Sequence, residues 1–166
     1  GSRRALEVLG AVLFGDGDQD ERGTVYVNSV QVRAGKLSDG EIAALGRPSA
    51  RGIPVAAPAT TVTGQWDFEN GNLAPTVGRA LEYFDGAAGT TAAGTQFGTT
   101  ASFGIPDIGG APATVMKVPG NTGPGANQLG YIMRHGIGAN GGGQRVNQYT
   151  LVMDLYWDAV PPGFAS

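Results

Sequence analysis

Thr24-Val25-Tyr26-Val27-Asn28-Ser29-Val30-Gln31-Val32-Arg33 is the stretch that decides the fold. Val25, Val27, Ser29 and Val32 do not alternate perfectly, but β-branched and aromatic side chains of this density suit a pleated, buried surface, and the run reads as a strand. Directly after it the period changes, in Leu37-Ser38-Asp39-Gly40-Glu41-Ile42-Ala43-Ala44-Leu45-Gly46. Ser38 is placed to accept from the Glu41 amide while Glu41 reaches back to the Ser38 amide. This is a capping box, with Leu37 and Ile42 spaced to staple across it. Gly46 supplies a left-handed stop. The segment predicts the one helix of the chain, short and about two turns long.

Outward from this pair, Ala5 to Phe14 is an apolar run rich in Val and Leu. It reads as a buried strand that ends at the turn residues Gly15-Asp16-Gly17. Residues 47–63 hold Pro48, Pro54 and Pro58 among Ala, Thr and Ser without an apolar face, and read as a linker or an extended edge segment. Beyond it, strands are expected near Gln65–Glu69, Ala80–Phe84, Ala113–Val118, Gly130–Arg134 and Gln148–Trp157, separated by glycine-rich loops.

Composition agrees. The 166 residues contain 29 glycines and only 15% charged residues, a balance that favours short strands and turns over long charged helices. A net charge of −3 offers no basic field for a phosphate backbone or an anionic membrane. No apolar run approaches the roughly 18 residues that read as a membrane span. Cysteine is absent, so disulfides and thiolate metal sites are excluded. Gly1-Ser2 reads as an expression scar, which would put any signal peptide upstream.

The strand centred on Val27-Asn28-Ser29-Val30 and the helix Leu37 to Gly46 resemble the ending of laminin G-like domains in the concanavalin A-like lectin/glucanase superfamily. That ending is a V-D-x-V strand followed by L-S-x-x-E-I-x-x-L-G. Asn28 stands where the family usually carries Asp, which weakens a charge-based role there. Gly64-Gln65-Trp66-Asp67-Phe68-Glu69-Asn70-Gly71 resembles the first strand of the same domains, and Asn140 to Asp154 resembles a glycine-rich turn leading into a core strand. The family order is reversed. Residues 1–46 correspond to a carboxyl-terminal segment and 64–166 to an amino-terminal one, joined by 47–63, as in a slice across a tandem array or a circular permutant. The resemblance implies an all-β, antiparallel β-sandwich of jelly-roll type, incomplete or strand-exchanged, in an extracytoplasmic recognition or adhesion module that is not an enzyme. Its expected ligand is a glycan or a protein, with neither nucleic acid nor membrane insertion involved. Missing strands leave open edges, so self-association through strands is expected. A structural spacer is the alternative, and a glycosidase a weaker one, since the superfamily's E-x-D-x-x-E triple does not occur here.

Site candidates follow from residue type and spacing. Asp16, Asp18 and Asp20 alternate in an acidic loop and present oxygen ligands for Ca²⁺, although the loop lacks the EF-hand positions and the plainer reading is a solvated hairpin turn. Trp66 with Asp67 and Glu69 offers a ring and acceptors for a sugar, against the plainer reading of one core face and one wet face. Asn140 and Asn147 rim a glycine-rich loop and are the remaining ligand-binding candidates. His135, the single histidine, has no recognisable catalytic set around it.

Overall fold

The structure, a computed structural model, describes residues 6–15, 23–55, 60–120 and 129–158. In chain order the elements are β1 (Leu6–Glu7), β2 (Ala11–Leu13), β3 (Val25–Ala34), α1 (Asp39–Ala44), β4 (Thr61–Trp66), β5 (Glu82–Tyr83) and α2 (Thr90–Gly94). There follow β6 (Gln96–Thr99), α3 (Thr100–Phe103), β7 (Thr114–Val118), β8 (Tyr131–Met133), β9 (Arg145–Val146) and β10 (Tyr149–Trp157). The fold is mostly β, and every strand pairing is antiparallel.

β3 is the axis of a five-stranded sheet. β10 runs along one side of it for its whole length. The other side is shared, with β4 on Val30–Ala34 and β7 on Val25–Val27. β6 extends β7. A three-stranded sheet, β2-β8-β5, and the small β1–β9 pair complete the pattern. One apolar cluster draws on all of them: Val27, Val30, Val32, Trp66, Met116 and Val118 from the large sheet, Leu13, Tyr131 and Met133 from the three-stranded one, and Val146 from β9. At about 1.5–3 kcal/mol per fully buried large apolar side chain, this cluster is the main favourable term of the fold.

Three expectations need correction. The strand expected near Gln65–Glu69 begins earlier, as β4 (Thr61–Trp66), and takes residues 61–63 from the stretch read as a linker. The apolar run Ala5 to Phe14 is not one strand. It breaks at Gly10, so that β1 pairs with β9 and β2 with β8. Gly10 has φ +142°, and an added Cβ would lie 2.6 Å from the Met133 carbonyl oxygen. Only glycine lets the backbone turn this close to β8. The single short helix becomes three. The α1 capping box between Ser38 and Glu41 forms as expected, and Gly46 has φ +84°. The single-turn helices α2 and α3, however, carry no periodicity long enough to be legible.

The second face of β3 is polar and buried. Asn28, Ser29, Gln31 and Arg33 are all nearly inaccessible, because the segment Ser49–Val55 lies over them and supplies backbone partners. Asn28 Nδ2 donates to Ser49 O, Gln31 Nε2 to Pro54 O, and Arg33 to Pro54 O and Thr60 O. The Ser29 hydroxyl accepts from Ile53 N. Side chains of the strand thus do for residues 49–55 what a neighbouring strand would do, satisfying backbone groups that water no longer reaches.

Beneath this cover a relay of amides joins two charges. Arg33 Nε donates to Gln31 Oε1 at 2.6 Å, Gln31 Nε2 donates to Gln65 Oε1, and Gln65 Nε2 donates to both Asp67 oxygens at 2.9 and 3.0 Å. Ser29 and Thr76 also donate to Asp67. Each bond polarises the next, so the network is worth more intact than as separate pairs. Burial lowers the Arg33 pKa, partly opposed by Glu41.

Candidate functional site

Along β3 and β10 the register pairs Ser29 with Asp154 and Val27 with Leu155, leaving Asn28 as an extra residue opposite no partner. This is a β-bulge, a device that bends a strand and re-aims a side chain. It turns Asn28 and Asp154 toward a cavity of about 220 Å³ on the polar side of the sheet. Tyr26 and Tyr156 line the same cavity from β3 and β10, Pro48 from the covering segment, and Ile105 to Gly109 from the loop after α3. Tyr26, Ile105 and Val115 form a small apolar cluster of their own, which fixes the wall.

The loop is braced from within. Ile105 N donates to Thr100 O, the Thr100 hydroxyl to Asp107 Oδ1, and Ile108 and Ala111 exchange backbone bonds. The rings of Tyr26 and Tyr156 stand 6.2 Å apart, and that of Phe103 lies 5.4 Å from Tyr26. Lys117 holds its ammonium 5.8 Å over Phe103.

Asn28 is the unusual member. It is 2% exposed. Its Nδ2 donates to Ser49 O at 2.8 Å, and the side chain also hydrogen-bonds to Asp154. Its Oδ1 is buried without any partner among the described residues. An orphaned buried acceptor costs roughly 1–3 kcal/mol, so it marks a place where a partner is expected. Asp154 is perturbed as well. Burial raises its pKa, against the bond from Asn28 that lowers it and with the nearby Asp67 charge that raises it. Burial, with the charge of Asp158 next, likewise raises the Tyr26 pKa.

Those residues singled out in the sequence that the structure describes do not line this cavity. Trp66 is 0% exposed in the core, its Nε1 donating to Arg79 O, and Asp67 is the buried end of the amide relay. Glu69 is exposed. Asn140 and Asn147 are brought together, but as a loop staple: Asn140 Oδ1 accepts from the backbone of Asn147 and Gln148, and Asn147 Nδ2 donates to Gly141 O. The calcium set Asp16, Asp18 and Asp20 lies outside the described residues, and among the described ones no group of three or more His, Cys, Asp or Glu is placed to hold a metal ion. His135 is wholly buried; its Nδ1 accepts from Ile137 N, which leaves Nε2–H to donate to Glu7 O at 2.8 Å. Both ring nitrogens serve the architecture.

Sequence reasoning missed Asn28 and Asp154 as site residues. The signal was present in the imperfect alternation of Thr24 to Arg33, because a break in period 2 inside a buried strand is how a bulge looks in sequence. Comparison with protein-family models, curated proteins and solved structures returned no match to this chain.

Proposed function

We propose that the chain is a non-catalytic, extracytoplasmic recognition module, a laminin G-like β-sandwich of the concanavalin A type, that binds a glycan or protein group in the cavity beside Asn28. Asn28, which lines that cavity and whose buried Oδ1 has no partner among the described residues, carries the reading. The apolar cluster shared by the five-stranded and three-stranded sheets supports the sandwich. Concavity, aromatic walls and a few convergent polar groups are the general attributes of a binding pocket. The test is titration of a glycan library and a peptide library against the wild type and Ile108→Trp, which fills the cavity. A ligand that binds the wild type at least tenfold more tightly is expected, and libraries that never distinguish the two proteins would refute the proposal. The two carboxylates of the lining motivate one enzymatic alternative, Asp154 as a general acid with Asp107 as its second carboxylate. Turnover of aryl glycosides that Asp154→Asn abolishes would replace recognition by hydrolysis.

Assembly through strands has its own support. Among the described residues β10 pairs with β3 alone, so its other edge is open, and Met153, Tyr156 and Trp157 are exposed large hydrophobics on it. A long apolar edge invites a second strand. Solution mass is expected to rise with concentration, and Met153→Lys to abolish the rise. A mass that stays monomeric across a wide dilution series would eliminate this reading.

A further inference from the structure

The cavity's polar groups are unusual in kind. Asn28 lines the cavity, its Nδ2 donates to Ser49 O and its buried Oδ1 has no partner among the described residues, so the unmet hydrogen-bonding capacity of this side chain is that of an acceptor. The other polar side chains of the lining, apart from the two tyrosine hydroxyls, are the carboxylates of Asp107 and Asp154, and no Lys, Arg or His stands among the described lining residues. Asp158 adds negative charge beside Tyr26. Lys117, the cation nearest in register to Tyr26, has its ammonium over Phe103, and is not part of the lining.

A hydroxyl group both donates and accepts, whereas an ammonium carries three donors and no acceptor. A cavity furnished mainly with acceptors therefore suits the second better than the first. The remaining side chains of the lining, Ile105, Ile108, Val115 and Leu155 among them, are apolar and match an unbranched methylene stem. Two tyrosine rings supply the quadrupoles on which a partly desolvated cation gains further.

Resting on the recognition reading above, we infer that the cavity binds a primary alkylammonium group, with Asn28 Oδ1 and the Asp154 carboxylate as its acceptors and the apolar loop 105–109 around its stem. A lysine side chain of a protein and a free small amine share this chemistry. The ammonium would satisfy the orphaned acceptor and stabilise the ionised form of a carboxylate that burial now disfavours.

The experiment titrates n-butylammonium, n-butanol and methyl glucoside separately into the wild-type protein, following the Asn28 side-chain amide and neighbouring backbone resonances by NMR. Nα-acetyl-lysine methylamide is run beside them. The ammonium compounds are expected to bind at least tenfold more tightly than butanol, since hydrogen bonds to a charged group are stronger than those between neutral groups. Asp154→Asn is expected to remove most of that preference. Because that variant alters a buried position, the comparison of charged and neutral ligands on the unaltered protein stands as an independent readout. The blocked lysine binding more tightly than butylammonium assigns the site to a protein partner, and equal binding assigns it to a free amine. Methyl glucoside shifting the same resonances while butylammonium does not would overturn the ammonium assignment and leave recognition standing. Shifts with none of the four would overturn both.

Discussion

Tyr131 gives the sharpest test of how the core is arranged. It lies on β8, the strand between β2 and β5, its side chain is wholly buried, and its hydroxyl shares a 2.6 Å bond with the Thr95 hydroxyl. Burial pushes its pKa up to about 12 from 10.0, against the bond to Thr95, which lowers it. The raised value means that the folded state favours the neutral phenol. This contribution is intact below pH 10 and is lost as pH rises through 12. At about 1.4 kcal/mol per unit, the two-unit window is worth roughly 3 kcal/mol. Tyr131→Phe removes it. The variant also loses one hydrogen bond, about 1 kcal/mol, at neutral pH. The two proteins should therefore cross, with the wild type more stable by about 1 kcal/mol at pH 8 and the variant more stable by about 1 kcal/mol near pH 12, where the folded phenol is half ionised. Urea unfolding of both proteins between pH 8 and 12 measures this, and titrations common to the two cancel in the difference. Stability curves that stay parallel across the window would show that Tyr131 is reached by water and that the core between the sheets is looser than described.

Three further outcomes are expected. Arg33→Ala should cost roughly 3–5 kcal/mol by urea denaturation, because it strands the far end of a buried charge relay, and should speed tryptic cleavage at exposed Arg51. Unchanged cleavage would mean residues 49–55 hold without it. Gly52→Ala should destabilise by at least the roughly 1–3 kcal/mol of a strained backbone, since Gly52 has φ +75° and its Cβ would collide with the Asp67 carboxylate. A neutral effect in a thermal melt would contradict the packing of that turn. Calcium, proposed at Asp16, Asp18 and Asp20, should raise Tm at millimolar concentration by mass action, and a constant Tm rules out a folded-state site of useful affinity.

Legibility in the sequence followed the length of the pattern. β3, β7, β8, β10 and the capped helix were readable because each carries its own period or cap, and Gly46 and the Ser38–Glu41 box behave as local chemistry dictates. The break at Gly10 was not, since what forbids a side chain there is Met133, far away in sequence. α2 and α3 are single turns, too short to leave a pattern. The site was hidden for a different reason. Trp66 and Asp67 looked like ligand contacts because a ring beside an acid reads the same in a pocket as in a core, and only the partners Arg79 O, Ser29, Gln65 and Thr76 decide between them. Asn28 looked like a weakened family position, yet its burial without a partner is what singles it out.

The relay from Arg33 to Asp67 places a condition on how this chain can change over generations. A guanidinium demands an oxygen facing it and a carboxylate demands an N–H, and both demands are met only when Gln31 and Gln65 point the same way. Turning either amide sets oxygen against oxygen or N–H against N–H at both of its ends. The four residues behave as a single elongated zwitterion with no net charge, and losing one end leaves the other as an uncompensated ion in the interior. A lineage that drops Arg33 is therefore under pressure to drop Asp67 as well, and then to replace the two glutamines with apolar residues. These four positions are exchangeable as a set and poorly exchangeable one by one.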